Sequence, residues 1–288
     1  MTSKIIQERL DSYQCRSVQE EENALREITQ EIVLAGLSRA EFFKATAFQG
    51  GTCLRVLYSL ERFSEDLDFV LQKPLSKFSF EPYFKNLRLE CEAYGFQLET
   101  VDRSAADLTV KKGFVKDDSI GKILIFKHLK VIRGTKKINI KIEVDTNPPA
   151  GSHFETRFLD FPFPFSVTTQ NLPSLFAGKS HALLCREYVK GRDWYDFILY
   201  ATRKTPVNFE LLSSALDQQG PWAKQGLKID RAWYFEQMEM KIRSIDWEAA
   251  KRDISRFLKS PQLETLKLWS QEFFLSFLEK LQITAGHG

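Results

Sequence analysis

Hydrophobic and polar residues follow one kind of spacing in the first part of the chain and another in the second part. Up to residue 165, helical spacings are interrupted by short alternating runs that predict β-strands. After the proline-rich connector FPFPF at 161–165, helical spacing continues alone to about residue 282. We therefore predict an α/β domain over residues 1–165 and an α-helical domain over residues 166–288.

Local signals predict where several of these elements begin and end. Ser17 and Glu20 have the spacing of a capping box, which opens an amphipathic helix predicted to end near Gly36. Another helix is predicted at 80–94 and is closed by Gly95. The other predicted elements are strands at 45–49, 67–71, 96–101, 122–133 and 137–146, and helices at about 173–186, 193–203 and 207–217.

The segment from residue 45 to residue 71 contains the first candidate chemistry. A predicted strand leads into the Gly50-Gly51 turn, Thr52 is predicted to cap the next helix, and a second strand begins at Leu67. Paired glycines at the start of a helix present unhindered backbone N–H groups at the positive end of the helix dipole. The turn is therefore a candidate phosphate-binding site.

Carboxylates on two predicted strands are the second candidate. Residues two apart in a strand lie on the same face, so Asp66 and Asp68 point the same way. The strand at 138–145 repeats the alternation, with Glu143 and Asp145 on its polar face. If the two strands are neighbours, these carboxylates converge. Divalent cations among them would relieve their mutual repulsion, as in a two-metal phosphoryl-transfer site.

Basic residues are concentrated in one segment, although the net charge of the 288-residue chain is only +3. Between Leu108 and Lys141, ten basic residues outnumber Asp117 and Asp118, which leaves an excess of eight positive charges. Two interpretations of the 108–141 segment remain open. If its side chains face one way, it is a patch that binds phosphates, such as those of RNA. Otherwise it is a lysine-rich hairpin edge that discourages aggregation.

Composition argues against several other classes of protein. Hydrophobic residues make up 43% of the chain and charged residues 27%, which is typical of a folded protein with a sizeable core. The charged amino-terminal stretch and the lack of an apolar run of about 18 residues argue against a membrane protein, and we expect a cytoplasmic location. The four cysteines form no CxxC pair and the four histidines no HExxH pattern, so neither structural zinc nor a disulfide framework is expected.

The chain contains three motifs in order: Gly50-Gly51-Thr52 with the run from Arg62 to Phe69, the run from Lys141 to Val144, and the stretch from Ala177 to Asp196. With these motifs the chain resembles the AbiEii-type nucleotidyltransferases, a branch of the DNA-polymerase-β-like superfamily. The resemblance implies a mixed-sheet nucleotidyltransferase core and a helical domain that completes the NTP site. It also implies NTP as the donor and dependence on Mg²⁺ or Mn²⁺. Members of the family include toxins of toxin–antitoxin and abortive-infection pairs, some of which add nucleotides to tRNA 3′ ends.

The resemblance also implies a role for individual residues. Asp66 and Asp68 would bind metal, with Glu143 as the third carboxylate and Asp145 as its alternate. The other catalytic residues would be Asp193 and Lys179, the latter neutralising triphosphate charge. Substrate contacts would come from Gly50, Gly51, Thr52, Arg62, Ser64 and Asp196.

Residues of the third motif also have structural explanations. Lys179 is equally typical of an amphipathic helix whose lysine extends its stem along an apolar face. Asp193 begins a helix, where a negative charge is favoured by the dipole, and Asp196 lies one turn later on the same face. The motif as a whole favours the functional interpretation.

Other activities remain alternatives. A nuclease of the PD-(D/E)xK type needs a lysine two residues after the acid, whereas Lys141 precedes Glu143. A DxD metal-dependent glycosyltransferase would leave Gly50-Gly51 and Lys179 without a role. A non-catalytic module that binds a nucleotide or a partner would not need the carboxylates. The sequence does not specify whether the acceptor is RNA or protein, or whether a cognate antitoxin protein binds the chain.

Overall fold

A seven-stranded sheet organises the first part of the chain in the computed structural model, which describes residues 2–75, 77–102, 119–128, 138–227 and 229–284. The strands are β1 (Thr46–Gln49), β2 (Leu67–Leu71), β3 (Phe96–Asp102), β4 (Ser119–His128), β5 (Ile138–Asp145), β6 (Phe154–Leu159) and β7 (Phe165–Gln170). Their order in the sheet is β3-β4-β5-β2-β1-β7-β6. β2 pairs with β5 in parallel and with β1 in antiparallel orientation, so the strand that follows Asp66 lies at the centre of the sheet.

Helices flank these strands in sequence and account for the second part of the chain. In the first part they are α1 (Thr2–Asp11), α2 (Val18–Arg39), α3 (Gly50–Tyr58) and α4 (Glu81–Ala93). The second part contains α5 (Leu172–Cys185), α6 (Gly191–Thr202), α7 (Phe209–Gln218), α8 (Arg231–Arg243), α9 (Trp247–Ser255), α10 (Ser260–Thr265) and α11 (Gln271–Thr284). The predicted fold class, an α/β core followed by helices, is confirmed. No helix among the described residues combines the length and the apolarity needed to cross a membrane.

The chain divides into two compact units. The α/β unit comprises Met1–Ser59, Phe63–Pro148 and Phe154–Thr169, and the helical unit comprises Leu60–Arg62, Pro149–His153 and Gln170–Gly288. The short segment Leu60–Arg62 therefore belongs to the helical unit, although it lies between α3 and β2 in the sequence.

The α/β unit is built on the strand alternation that the sequence predicts. Leu67 and Phe69 of β2 are buried, as are Ile140, Ile142 and Val144 of β5, whereas Asp68 and Glu143 are partly exposed. Because the side-chain period of a strand is two, Asp68 and Glu143 lie on the face opposite these apolar residues, although Val70 and Asp145 on that face are buried.

Ser17 is confirmed as the N-cap of α2, but the helix is longer than predicted. Ser17 Oγ accepts a hydrogen bond from the backbone N–H of Glu20, at 3.2 Å. The helix continues past Gly36 to Arg39, so the predicted end near Gly36 was wrong. A Cβ atom at Gly36 would lie 2.9 Å from Leu87 Cδ1 of α4, which shows that this glycine permits close helix packing rather than ending the helix.

Thr52 is not the cap of α3, in contrast to the prediction. The helix begins at Gly50 with Gln49 as its N-cap, so Thr52 lies within the first turn and is fully buried. Its hydroxyl donates to the backbone carbonyl of Asp66. Gly50 has a φ of +79°, a conformation that allows the chain to pass from β1 into the helix without an intervening residue.

In the part of the chain that the structure describes, the pattern analysis missed one helix and two strands. The helix α1 precedes the capping box, and the strands β6 and β7 flank the proline-rich connector. β6 lies at the edge of the sheet and leaves Phe158 77% exposed, so its side chains lack the regular alternation of a half-buried strand.

The helical unit has an aromatic core. Trp194 and Phe197 of α6 are buried, and the Trp194 ring centroid lies 5.5 Å from that of Phe274 in α11. At the start of α6, a Cβ atom on Gly191 would lie 1.9 Å from the carbonyl oxygen of Ala250 in α9. This close approach fixes the first turn of α6, which carries Asp193.

Candidate functional site

The glycine turn and the second aspartate of the first motif are in direct proximity. A Cβ atom on Gly50 would lie only 2.4 Å from Asp68 Oδ2, so the carboxylate rests against the bare backbone of the turn. The strand register explains this placement, because Gln49 is opposite Asp68 in the β1–β2 pair. The two ends of the first motif thus form one local structure within the α/β unit.

The third carboxylate of the α/β unit lies on the neighbouring strand. Glu143 is the Cα partner of Asp68 in the parallel β2–β5 pair, whereas Asp145 is the partner of Val70, two residues farther along. Lys141 Nζ lies 2.9 Å from Glu143 Oε2, so the two side chains share the polar face of β5. Asp145 is buried, and its Oδ1 accepts a hydrogen bond from the backbone N–H of Asn147 at 3.1 Å.

Several contacts fix the loop before β2 and the helix α3, which adjoin the carboxylates of the α/β unit. The Thr52 hydroxyl binds the Asp66 carbonyl, and Gln30 Nε2 donates to the carbonyl of Ser64 at 3.3 Å. Cys53 Sγ lies 3.0 Å from Thr169 Oγ1, and burial raises the pKa of this thiol to about 12, so it stays protonated. These bonds fix the start of α3 and the residues that lead into β2.

The donor set of the α/β unit suits a hard cation. Carboxylate oxygens on adjacent strands are the ligands that Mg²⁺ prefers, and Asp68 and Glu143 lie on partner positions of two strands. Asp66 precedes β2 by one residue and is partly exposed, like Asp68. Within the described ranges, no group of three or more metal-binding side chains is already arranged around one point. The chemistry of the donors therefore fits such an ion, although their side chains are not arranged as a completed site.

The helical unit contains a network of ion pairs that joins Arg62 to the third motif. Both Arg62 Nε and Nη2 donate to the carboxylate of Asp196, at 2.6 and 2.7 Å. Lys179 Nζ lies 2.7 Å from Asp193 Oδ1 and 2.8 Å from Asp196 Oδ2. Arg186 Nη1 donates to Asp193 Oδ2 at 2.6 Å. Lys179 thus bridges two carboxylates, each of which also binds an arginine.

Two of these groups, Asp193 and Lys179, favour their charged forms despite their burial. Asp196 is 0% exposed, Arg62 2% and Asp193 4%. Burial disfavours the charged form of Asp193, but Lys179, Arg186 and Lys190 outweigh it and hold the pKa of that carboxyl well below its usual range. Burial likewise opposes protonation of Lys179, but Asp193 and Asp196 raise its pKa.

The sequence profile described as "Nucleotidyl transferase AbiEii toxin, Type IV TA system" matches residues 32–273. The chain belongs to this family. It is a nucleotidyltransferase of the AbiEii type, and the family consists of toxins of type IV toxin–antitoxin systems. The family resemblance inferred from the three motifs is therefore confirmed.

One solved structure shares the fold of this chain. The crystal structure of JHP933 from Helicobacter pylori is 16% identical and has a TM-score of 0.50, with 91% of this chain and 90% of that chain covered. A proposed nucleotidyltransferase from H. pylori is also 16% identical, with a TM-score of 0.48 and coverage of 90% and 92%. No curated protein sequence matches the chain significantly.

The structure groups the motif residues of this AbiEii chain into two sets. In the α/β unit it brings Gly50 against Asp68 and places Glu143 opposite that aspartate; Gly51, Thr52, Ser64 and Asp66 adjoin them in sequence. In the helical unit, Arg62, Lys179, Asp193 and Asp196 are in contact.

Two basic residues near Asp193 received no role from the sequence. Arg186 binds Asp193 directly, and the ammonium of Lys190 is close enough to affect the pKa of the same carboxyl. The clustering of basic residues on both sides of the α5–α6 connection was the available signal. The sequence alone does not show this contact, because Arg186 and Asp193 are seven residues apart and no continuous helix joins them.

Proposed function

We propose that this nucleotidyltransferase acts in the cytoplasm and transfers NMP from an NTP to an acceptor, with Asp66, Asp68 and Glu143 as ligands of Mg²⁺ or Mn²⁺. The observation that carries the proposal is the position of Asp68, which lies against the Gly50 turn and opposite Glu143. A phosphate-binding turn next to a set of carboxylates is the arrangement that metal-assisted phosphoryl transfer requires.

Each candidate site residue of the α/β unit has a task in the proposed reaction. Gly50 and Gly51 supply backbone N–H groups at the start of α3 for the phosphates. Thr52 holds the backbone of Asp66, and Ser64 lies in the loop before it. Asp66, Asp68 and Glu143 would hold a divalent cation, which would supply positive charge near the transferring phosphoryl group and its leaving group. Glu143 is preferred to Asp145 because it is opposite Asp68 and less buried.

We also propose that the helical unit contributes Lys179 and Asp193 to nucleotide binding, with Arg62 and Asp196 completing their network. The bridging position of Lys179 supports this assignment, because loss of its charge would alter both carboxylates at once. The network is largely buried, where ionic interactions are stronger than at a surface.

For the acceptor we propose RNA, with a tRNA 3′ end as the first candidate and a protein as the second. The proposal rests on the excess of basic residues between 108 and 141, of which residues 108–118 and 129–137 lie outside the described residues. We further propose that a cognate antitoxin protein counteracts the toxin in the cell, as the family description implies.

The direct test is incubation of the purified chain with each labelled NTP, Mg²⁺ and either total tRNA or protein. We expect label from one or more NTPs to be transferred to tRNA, and Asp68→Asn to abolish the transfer. Glu92→Gln removes an exposed carboxylate from α4 and should retain wild-type activity. Transfer by Asp68→Asn at the wild-type rate would contradict the metal assignment, and label on protein alone would exclude the RNA acceptor.

A further inference from the structure

The ion-pair network of the helical unit contains more positive than negative charge. Arg62, Lys179 and Arg186 share the two carboxylates of Asp193 and Asp196. Both carboxylates are therefore already engaged by cations, in a region that is largely withdrawn from water.

Lys190 adds a further cation to this excess. It is the residue before α6, its side chain is half-buried, and no described residue forms a hydrogen bond or ion pair with its ammonium. Burial lowers the pKa of Lys190; Asp193 opposes that change, whereas Arg186, Arg192 and Lys179 add to it. The ammonium is therefore held close to other cations, and the described part of the chain offers it no direct partner.

The excess charge is unevenly distributed among the four basic groups. Arg62 is bound at two atoms by Asp196, and Lys179 is bound by both carboxylates. Arg186 donates from one nitrogen to Asp193, and its guanidinium lies 5.1 Å from the ring centroid of Tyr188, which is 55% exposed. A guanidinium has five N–H donors, so Arg186 retains donors for a ligand.

Uncompensated cations in a partly desolvated site are unfavourable unless an anion binds among them. A phosphoanhydride carries several negative charges and many acceptor oxygens, and it is recognised by combined guanidinium and ammonium groups. We propose that Arg186 and Lys190 bind the phosphoanhydride of the NTP and of the pyrophosphate product, and that Lys179 is a positioning residue that orients Asp193 and, through it, Arg186. This inference rests on the proposed function, because it takes its ligand from that reaction.

Calorimetric titration of the full chain with sodium pyrophosphate tests the inference without any turnover. We expect Lys190→Gln and Arg186→Gln each to raise the Kd for pyrophosphate about tenfold, the usual effect of losing one charge-assisted hydrogen bond. Lys190→Arg should bind nearly as well as the wild type. Lys251→Gln is the matched control, because it removes one positive charge from α9, where Lys251 pairs with Glu248, and it should leave the Kd unchanged.

Further arms of the experiment separate this inference from the proposed function. Unchanged pyrophosphate affinity in both Lys190→Gln and Arg186→Gln would overturn the inference, even if the wild type transfers nucleotides. Pyrophosphate binding that depends on Lys190, in a chain that transfers no nucleotide, would support the site and contradict the transferase. Inorganic phosphate should bind more weakly than pyrophosphate. If tRNA binding depends on Lys190 while pyrophosphate binding does not, the site contacts an RNA backbone and the inference is wrong.

Discussion

At the scale of single residues, Gly50 is the position where backbone conformation and site chemistry are most closely connected. Its φ of +79° is unfavourable for L-residues, and any Cβ would lie 2.4 Å from Asp68 Oδ2. We expect Gly50→Ala to destabilise the fold by about 1–2 kcal/mol through its backbone strain alone. It should also displace the Asp68 carboxylate and lower kcat by roughly 100-fold, since small misplacements of reacting groups have effects of that size.

Gly178 provides a matched control for that substitution. It lies within α5, and a Cβ atom there would meet nothing within 4 Å. Gly178→Ala should stabilise the protein by about 0.5–1 kcal/mol because alanine is the better helix former. Thermal melting together with nucleotide-transfer rates checks both variants. Equal rates for Gly50→Ala and the wild type would show that Asp68 does not depend on the turn.

Lys179 offers a second test at this scale. In Lys179→Met, Asp193 keeps Arg186 and Asp196 keeps Arg62, so neither buried carboxylate loses all of its partners. We therefore expect a folded protein whose melting temperature falls by only a few degrees, corresponding to about 1–2 kcal/mol. The transfer rate should fall through kcat rather than through the KM for NTP, because negative charge grows on the leaving group during transfer. A variant with unchanged kcat and KM would remove Lys179 from the candidate active-site residues.

The sequence predicted different parts of the site with different success, and the physical reason is distance along the chain. Gly50 and Asp68 are joined by one local strand–helix–strand pattern, whose alternation and turn can be read directly. Arg62 and Asp196 are 134 residues apart, and nothing local to Arg62 indicates that its guanidinium is buried against that acid. The sequence instead led us to expect a loop arginine near the phosphates, and that role stays a prediction.

At the scale of elements, the α1–α2 contact contains a buried carboxylate with an unusual pKa. Glu31 receives two hydrogen bonds from Arg9, at 2.7 and 3.2 Å, and lies near Glu27. Burial raises the pKa of Glu31 from 4.5 to about 7; Arg9 opposes this shift, while Glu27 and Asp160 add to it. The folded protein therefore holds a proton that the unfolded chain releases above pH 4.5.

This linkage sets the direction of a pH effect on stability. Because the folded state binds the extra proton, the free energy of unfolding should fall as the pH rises from 4.5 to about 7, by on the order of 3 kcal/mol. Glu31→Gln should flatten that part of the profile, as measured by denaturant unfolding at each pH. Glu90→Gln, which removes another buried carboxylate paired with an arginine, leaves Glu31 in place and should keep the slope. A steep decline in Glu31→Gln would assign the effect to other groups.

The elements themselves were predictable where one face is regularly buried. The Ser17 N-cap follows from residue type, and β2, β5 and α4 follow from local periodicity; the structure confirms all four. The length of α2 was misjudged because Gly36 is required for close packing against α4 and does not end the helix. The strand β6 was missed because an edge strand with an exposed phenylalanine lacks a regular alternation of buried and exposed residues. Both errors arise from tertiary context, which a local pattern does not contain.

At the scale of the whole molecule, the distribution of charge determines where the protein would attract an RNA acceptor. The net charge is only +3, yet residues 108–141 carry an excess of eight positive charges, so nonspecific attraction to RNA would be concentrated in one segment. Lys141 belongs to this segment and is paired with Glu143, which removes one of the ten cations from such a role. The RNA proposal therefore rests on the remaining basic residues, among which Lys136 and Lys137 lie outside the described residues.

Substitution of Lys136 and Lys137 by glutamate tests whether this segment binds RNA. Binding to single-stranded RNA should weaken, and the slope of log affinity against log salt concentration should become shallower by about 0.7 for each phosphate that the variant no longer neutralises. The double variant Lys73→Glu/Lys77→Glu is the control, because it changes the net charge equally at exposed positions outside the segment. Identical salt slopes in the two double variants would show that the lysines act only through net charge. The segment would then be a solvated hairpin edge, and the proposal of an RNA acceptor would lose its support.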